Sequence, residues 1–226
     1  ASPAGAGQTA PTKTPGKLVV VLYPKGSTET PLWQAHTRQY VSDDPATREK
    51  DLAWITAQAV AFDVQVTERP DFAMVAVQGP TARERVHGLL REEDRAKVGK
   101  LTRFAATDTT STDGVPLFVA RTGYTGEDGY EIVLPQAQAV AFWNALIEAG
   151  VKPAGLGARR TVRAGAGKKL YGQDMDDTVS PYEAALAWTV ALDEGRAFTG
   201  RATLEAQKAG GAPRQMIGLV MDEKGV

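Results

Sequence analysis

The stretch Gly123-Tyr124-Thr125-Gly126-Glu127-Asp128-Gly129-Tyr130-Glu131 gathers glycines, carboxylates and two tyrosines into nine consecutive positions. Glycines at that density permit positive φ and close approach of backbone to a ligand. Carboxylates accept N–H bonds, and phenol rings pack on flat heterocycles. Such a loop could therefore recognise a flat, hydrogen-bonding ring. The same residues also suit a hairpin turn with solvated acids. The alternating acidic ligands of an EF-hand loop are missing.

A second candidate segment runs from Gly155 to Gly172 and carries Arg159, Arg160 and Arg163. A guanidinium holds a carboxylate through two parallel bonds, so these arginines suit an acidic ligand as well as an exposed basic helix start. The Gly167-Lys168 pair does not make a phosphate-binding P-loop. The first glycine of that pattern would fall on Val162, and its Ser/Thr on Lys169. Asp174, Asp176 and Asp177 cluster after Tyr171-Gly172-Gln173, without the ligand spacing of a known cation loop, and read as a solvated turn. His36 and His87 have no chemical partners nearby in sequence and read as structural or surface residues.

The elements that must position these groups follow from periodicity. Lys17–Tyr23 is a β-branched run that ends in a Pro24–Ser27 turn. Asp44-Pro45 reads as an N-cap with proline at the first helical position, and Leu52, Ile55, Ala59 and Phe62 recur at helical spacing. A helix over Pro45–Ala61 follows. Val64–Thr67 and Phe72–Gln78 read as strands, and Gly79-Pro80-Thr81 opens a second helix to about Leu90, followed by a polar segment. Val115–Arg121 and Tyr130–Leu134 are strands flanking the glycine-rich loop. Gln136–Ala149 is a helix with Val140, Trp143 and Ile147 in one stripe, Phe142 and Leu146 beside it, and Gly150 as its cap. This order implies an α+β fold, a mainly antiparallel sheet with helices packed on one face. The expected organisation is a flexible extension over 1–16, an α+β domain over 17–153 and a helical, linking region over 154–226.

Composition narrows the function classes. Of 226 residues, 42% are hydrophobic and 23% charged, with a formal net charge of −1. A duplex-binding surface needs a basic excess, so no nucleic-acid partner is expected. Without cysteine the chain has no disulfide, thiol nucleophile or cysteine-ligated cluster, and two histidines argue against a histidine-rich metal site. No apolar run approaches the ~20 residues that span a bilayer, so no membrane partner is expected. Residues 1–16 lack the marks of a secretory or transit signal, and a cytoplasmic location is the expectation.

Taken together and in order, these segments resemble the aminomethyltransferase family, the T-proteins of the glycine cleavage system. The resemblance is carried by Arg121–Glu131, Gly155–Arg159 and Leu170-Tyr171-Gly172-Gln173-Asp174-Met175-Asp176. Thr30–Thr37, Ala46–Ile55, Val75–Pro80, Ser180-Pro181, Ala187-Trp188-Thr189 and Gly218–Val226 continue it. It implies the ferredoxin-like folate-binding region of that fold, with the C-terminal barrel missing. It also implies tetrahydrofolate as co-substrate without a metal, and a lipoylated H-protein as the partner that presents an aminomethyl group. Glu131 matches the residue that contacts the pterin, where a carboxylate can accept two parallel hydrogen bonds from the ring edge. Tyr124 matches an aromatic position near the folate, and Arg159 a folate-contacting arginine.

Several positions depart from the family pattern. Its acid-bearing Gly-Gly-x-x-Asp-Asp segment has no counterpart between His36-Thr37 and Ala46-Thr47, so the catalytic residues are not assigned. Arg160 replaces an aspartate, which exchanges a favourable helix-start carboxylate for a second cation. The implied activity is transfer of a one-carbon unit from aminomethyl-lipoyl H-protein to tetrahydrofolate with release of ammonia. The alternative is a folate-binding or structural module without the reaction centre.

Overall fold

A computed structural model describes residues 20–24, 45–61, 64–193, 195–218 and 222. Lys17–Val19, the Thr30–Thr37 segment with His36, Asp44 and Phe62 lie outside the described residues. The chain divides into two compact units, residues 1–168 and residues 169–226.

In the first unit, β1 (Val20–Pro24) pairs antiparallel with β2 (Val64–Glu68), and α1 (Pro45–Ala59) lies between them in the chain. The strand β3 (Phe72–Gln78) follows β2 closely yet joins a different sheet. Then come α2 (Ala82–Gly88), α3 (Glu92–Gly99), β4 (Ala106–Thr110), β5 (Pro116–Ala120) and β6 (Gly129–Pro135). A 3₁₀ turn at Gln136–Gln138 leads into α4 (Ala139–Glu148), and α5 (Leu156–Gly165) ends the unit's helices. The main sheet has the order β3-β6-β5-β4, with every neighbouring pair antiparallel. This is the α+β architecture the periodicity implies.

Strand alternation decides which side chains meet the helices. Val75 and Val77 of β3, Leu117 and Val119 of β5, and Tyr130, Ile132 and Leu134 of β6 point to one face. There they pack with Val86 of α2, Leu90, Val98 of α3, and Phe142 and Leu146 of α4. Fully burying each such side chain stabilises the fold by about 1.5–3 kcal/mol, so this face holds the sheet together. The opposite face carries a smaller cluster, Val133 with Phe72, Met74 and Phe118. Central β6 is thus covered on both sides.

Two elements arise where the sequence shows only a polar segment. In α3 one residue, Val98, is buried, and acids fill its first turn as the helix dipole favours. Strand β4 is a polar edge strand of Ala-Thr-Asp-Thr-Thr. The α4 stripe Val140, Trp143 and Ile147 stays substantially exposed, while Phe142 and Leu146 face the core. Gly150 takes φ +85 where α4 ends.

The second unit is rich in turns and contains α6 (Arg201–Gly210). Ser180 and Glu183 bond each other reciprocally: the Ser180 amide donates to Glu183 Oε2 at 2.8 Å and the Glu183 amide to Ser180 Oγ at 3.2 Å. Arg214 Nε donates to Glu183 Oε1 at 2.7 Å. These bonds hold the Glu183 carboxyl below its ordinary pKa. No described helix is long and apolar enough to cross a membrane.

Candidate functional site

The antiparallel pairing of β5 with β6 sets Ala120 opposite Glu131, so the chain between them must turn within residues 121–129. Glycine is required there for steric reasons. A Cβ on Gly129 would collide with the Val77 carbonyl, and one on Gly123 with the Gln78 carboxamide. Gly126, at φ +81, packs so closely on Ala166 that a Cβ would sit 2.6 Å from its methyl. The loop is therefore pressed between the end of β3 and the turn after α5.

Charged side chains brace it. Arg121 Nε and Nη2 donate to the two carboxylate oxygens of Asp128 at 3.0 and 2.7 Å, and Arg121 Nη1 donates to the Leu101 carbonyl at 2.8 Å. Arg83 approaches the same carboxylate at 3.5 Å. The Arg121 bond, the Gly129 amide and the two positive charges hold the Asp128 pKa at about 2, against desolvation. Arg83 Nε also donates to the Tyr130 hydroxyl at 3.0 Å, and His87 Nε2 lies 2.9 Å from that oxygen. Tyr130 itself is fully buried. Desolvation, together with the charges of Arg83 and Arg95, pushes the His87 pKa down. Asp128, Tyr130 and His87 thus belong to the framework of the loop.

The three residues singled out by sequence fall as follows. Glu131 is 4% exposed and lies on the sheet face opposite Tyr130. Its Oε2 accepts the Thr122 hydroxyl bond at 2.8 Å, which ties it to the loop. Tyr124 is 7% exposed, and the Arg159 guanidinium lies 4.5 Å from its ring centroid. That spacing is a cation–π contact, and it brings together groups 35 residues apart in the chain. Arg159 also lines a cavity of about 460 Å³ beside β3. Its wall is largely apolar, with Met74, Trp143, Ile147 and Val162 among the lining residues. Tyr124 and Glu131 are not lining residues of that cavity.

Sequence reasoning missed Gln78, Arg83 and Arg121 as organisers of the loop. The signal for Gln78 was its place before Gly79-Pro80, where a strand must stop. Arg83 had no local signal, because its partners lie 16 to 47 residues away. Arg160 is exposed on α5. The aspartates of residues 174–177 serve as turn acceptors: Asp174 bonds the Leu170 amide at 2.8 Å, and Asp176 the Thr178 amide at 2.8 Å. Among the described residues no cluster of His, Cys, Asp and Glu could hold a metal ion.

The family profile described as the GCVT N-terminal domain matches residues 17–194. The chain belongs to the aminomethyltransferase family. An aminomethyltransferase of Xanthomonas oryzae pv. oryzae (strain MAFF 311018) is 68% identical over 194 residues, covering 83% of this chain and 53% of that protein. One from Stenotrophomonas maltophilia (strain K279a) is 61% identical over 223 residues, covering 95% of this chain and 59% of that protein. The crystal structure of glycine cleavage system aminomethyltransferase T from Bartonella henselae superposes with a TM-score of 0.60 at 30% identity. It covers 72% of this chain and 43% of that one. The chain spans about half the length of the curated relatives it matches.

Proposed function

We propose that this chain forms the tetrahydrofolate-binding part of an aminomethyltransferase of glycine cleavage. The observation that carries the reading is the Arg159 guanidinium, which lines a cavity of about 460 Å³ and lies 4.5 Å from the centroid of the Tyr124 ring behind it. A volume of that order suits a small-molecule ligand. A ligand with a flat ring at one end and carboxylates at the other matches an aromatic platform with an arginine across it, because the guanidinium can hold a carboxylate bidentately. Folates have that form. Glu131 is the acceptor for the N–H edge of the pterin ring, held in place by Thr122. Its burial strengthens hydrogen bonds to a carboxylate by keeping water away.

Tetrahydrofolate supplies the nitrogens that take up the one-carbon unit. The donor is the aminomethyl group on the lipoyl arm of an H-protein, and ammonia is the leaving group. This chain's own residues bind and orient: Glu131 fixes the ring edge, and Tyr124 with Arg159 fixes the ring face and the acidic tail. Residues 121–131 and 156–165 present these groups from one end of the main sheet and from a helix, and groups held in place before binding limit the loss of entropy on binding.

The deciding experiment is a calorimetric titration of tetrahydrofolate into the chain, followed by an aminomethyl-transfer assay with lipoylated H-protein. Saturable binding that competes with a bare tetrahydropterin is expected. Absence of binding under conditions where the chain is folded would remove the reading. Binding without transfer would limit it to the folate-binding function.

A further inference from the structure

Gln78 ends β3, where Gly79-Pro80 stops the ladder, and its side chain reaches across to the glycine-rich loop. Its Nε2 lies 3.0 Å from the Thr122 carbonyl, 3.2 Å from the Tyr130 carbonyl and 3.1 Å from its own neighbour's, that of Val77. Its Oε1 accepts the Thr125 hydroxyl bond at 3.3 Å. The carboxamide fits there because the loop offers no side chain at Gly123, and a Cβ on Gly129 would also crowd it at 3.0 Å. One polar group thus grips the loop at Thr122, Thr125 and Tyr130, on both sides of Tyr124.

Each of those grips leads to a residue of the proposed site. Thr122 donates to Glu131, and Tyr124 stands between the two threonines with Arg159 across its ring. We propose that Gln78 is a positioning residue of the tetrahydrofolate site, fixing Glu131 and Tyr124 in one arrangement through the loop. The inference rests on the folate reading for its ligand and on the geometry alone for the positioning. Glutamine suits this place because it donates and accepts from one terminus. A glutamate would turn a carboxylate toward carbonyl oxygens, and an asparagine is one methylene too short.

The test uses the whole chain with tetrahydrofolate and a bare tetrahydropterin as probes. The variants are Gln78→Met, which keeps the length without hydrogen bonds, and Val86→Ala, a core cavity in α2 that destabilises without touching the loop. Affinity is read by titration. The ¹⁹F resonance of fluorotyrosine at position 124, assigned with Tyr124→Phe, reads the Arg159 stacking directly. Gln78→Met should weaken both ligands about tenfold, as the loss of net hydrogen bonding predicts, and move the Tyr124 resonance. Val86→Ala should lower the thermal midpoint and leave affinity and resonance in place. Wild-type affinity and resonance in Gln78→Met would overturn the proposal, as would the same changes in Val86→Ala. Should Gln78→Met fail to fold, Gln78→Glu, which keeps the shape and the acceptor for Thr125, gives the same readouts. If the wild type binds neither ligand, the folate reading fails while the resonance still decides the positioning.

Discussion

Replacing Asp128 by asparagine should destabilise the first unit in a way that fades with acid. Asp128 accepts two bonds from Arg121, at 3.0 and 2.7 Å, and lies 3.5 Å from Arg83. Its pKa falls from an ordinary 3.8 to about 2. At about 1.4 kcal/mol for each pH unit, that difference corresponds to roughly 2.4 kcal/mol of stability. The Asp128 side chain is 35% exposed, so solvent screening reduces the contribution to about 1–2 kcal/mol. The sign follows from the direction of the change. A carboxyl with a depressed folded-state pKa contributes fully above its unfolded value and loses the contribution as pH falls toward its folded value. The stability difference between wild type and Asp128→Asn should therefore be full at pH 7, shrink between about pH 4 and pH 2, and be least near pH 2. Urea unfolding of both proteins at pH 7, 4 and 3, at constant ionic strength, measures it. The difference isolates Asp128, because other carboxylates with depressed pKa, Asp71, Asp176 and Glu183, remain in both proteins. A gap that is the same at every pH would refute the ion-pair account and leave only packing.

Three further outcomes are expected. Glu131→Gln should weaken tetrahydrofolate binding by about 1–3 kcal/mol, the range for a hydrogen bond to a buried charged group, as read by titration. An unchanged Kd removes Glu131 from the ring-edge role. Arg159→Ala should weaken intact tetrahydrofolate more than a bare tetrahydropterin, since the pterin lacks the acidic tail; equal losses would place the arginine elsewhere. Gly129→Ala should cost about 1–3 kcal/mol in chemical denaturation, because its Cβ meets the Val77 carbonyl, which is backbone and cannot swing aside. Wild-type stability in that variant would show that the β3–β6 ends can separate freely.

Legibility in the sequence tracked the number of buried residues in each element. Strands β3, β5 and β6 carry apolar side chains at most positions, and they stand where the pattern put them. The segments α3 and β4 look like polar chain in the sequence, because α3 buries a single residue and β4 is a threonine-rich edge. Neither presents a period strong enough to see; both are held by neighbours, as where Lys97 of α3 donates to the Asp108 carbonyl of β4 at 2.7 Å. Helix α4 posed a different problem. It has two adjacent apolar stripes, and only the tertiary packing against the sheet selects Phe142 and Leu146 over Val140, Trp143 and Ile147. The pairing of Tyr124 with Arg159 depends on the fold, and no local signal could bring those two residues together.

The division of labour inside the glycine-rich motif was within reach of a simpler argument. Successive residues of a strand point to opposite faces, so Tyr130 and Glu131 cannot both serve one site. Ile132 and Leu134 share the parity of Tyr130, and those side chains must face the hydrophobic layer. Tyr130 is thereby committed to the core, where its hydroxyl needs internal partners and finds them in Arg83, His87 and the Val98 carbonyl. Glu131 is committed to the other face, away from the layer of α2, α3 and α4. A carboxylate placed in that strand, 4% exposed, is costly unless something donates to it. The Thr122 hydroxyl donates now, and under the folate reading the ring edge of the ligand shares that task. The opposite parity of the two residues lets one motif brace the fold with its tyrosine and, under the folate reading, address the ligand with its glutamate.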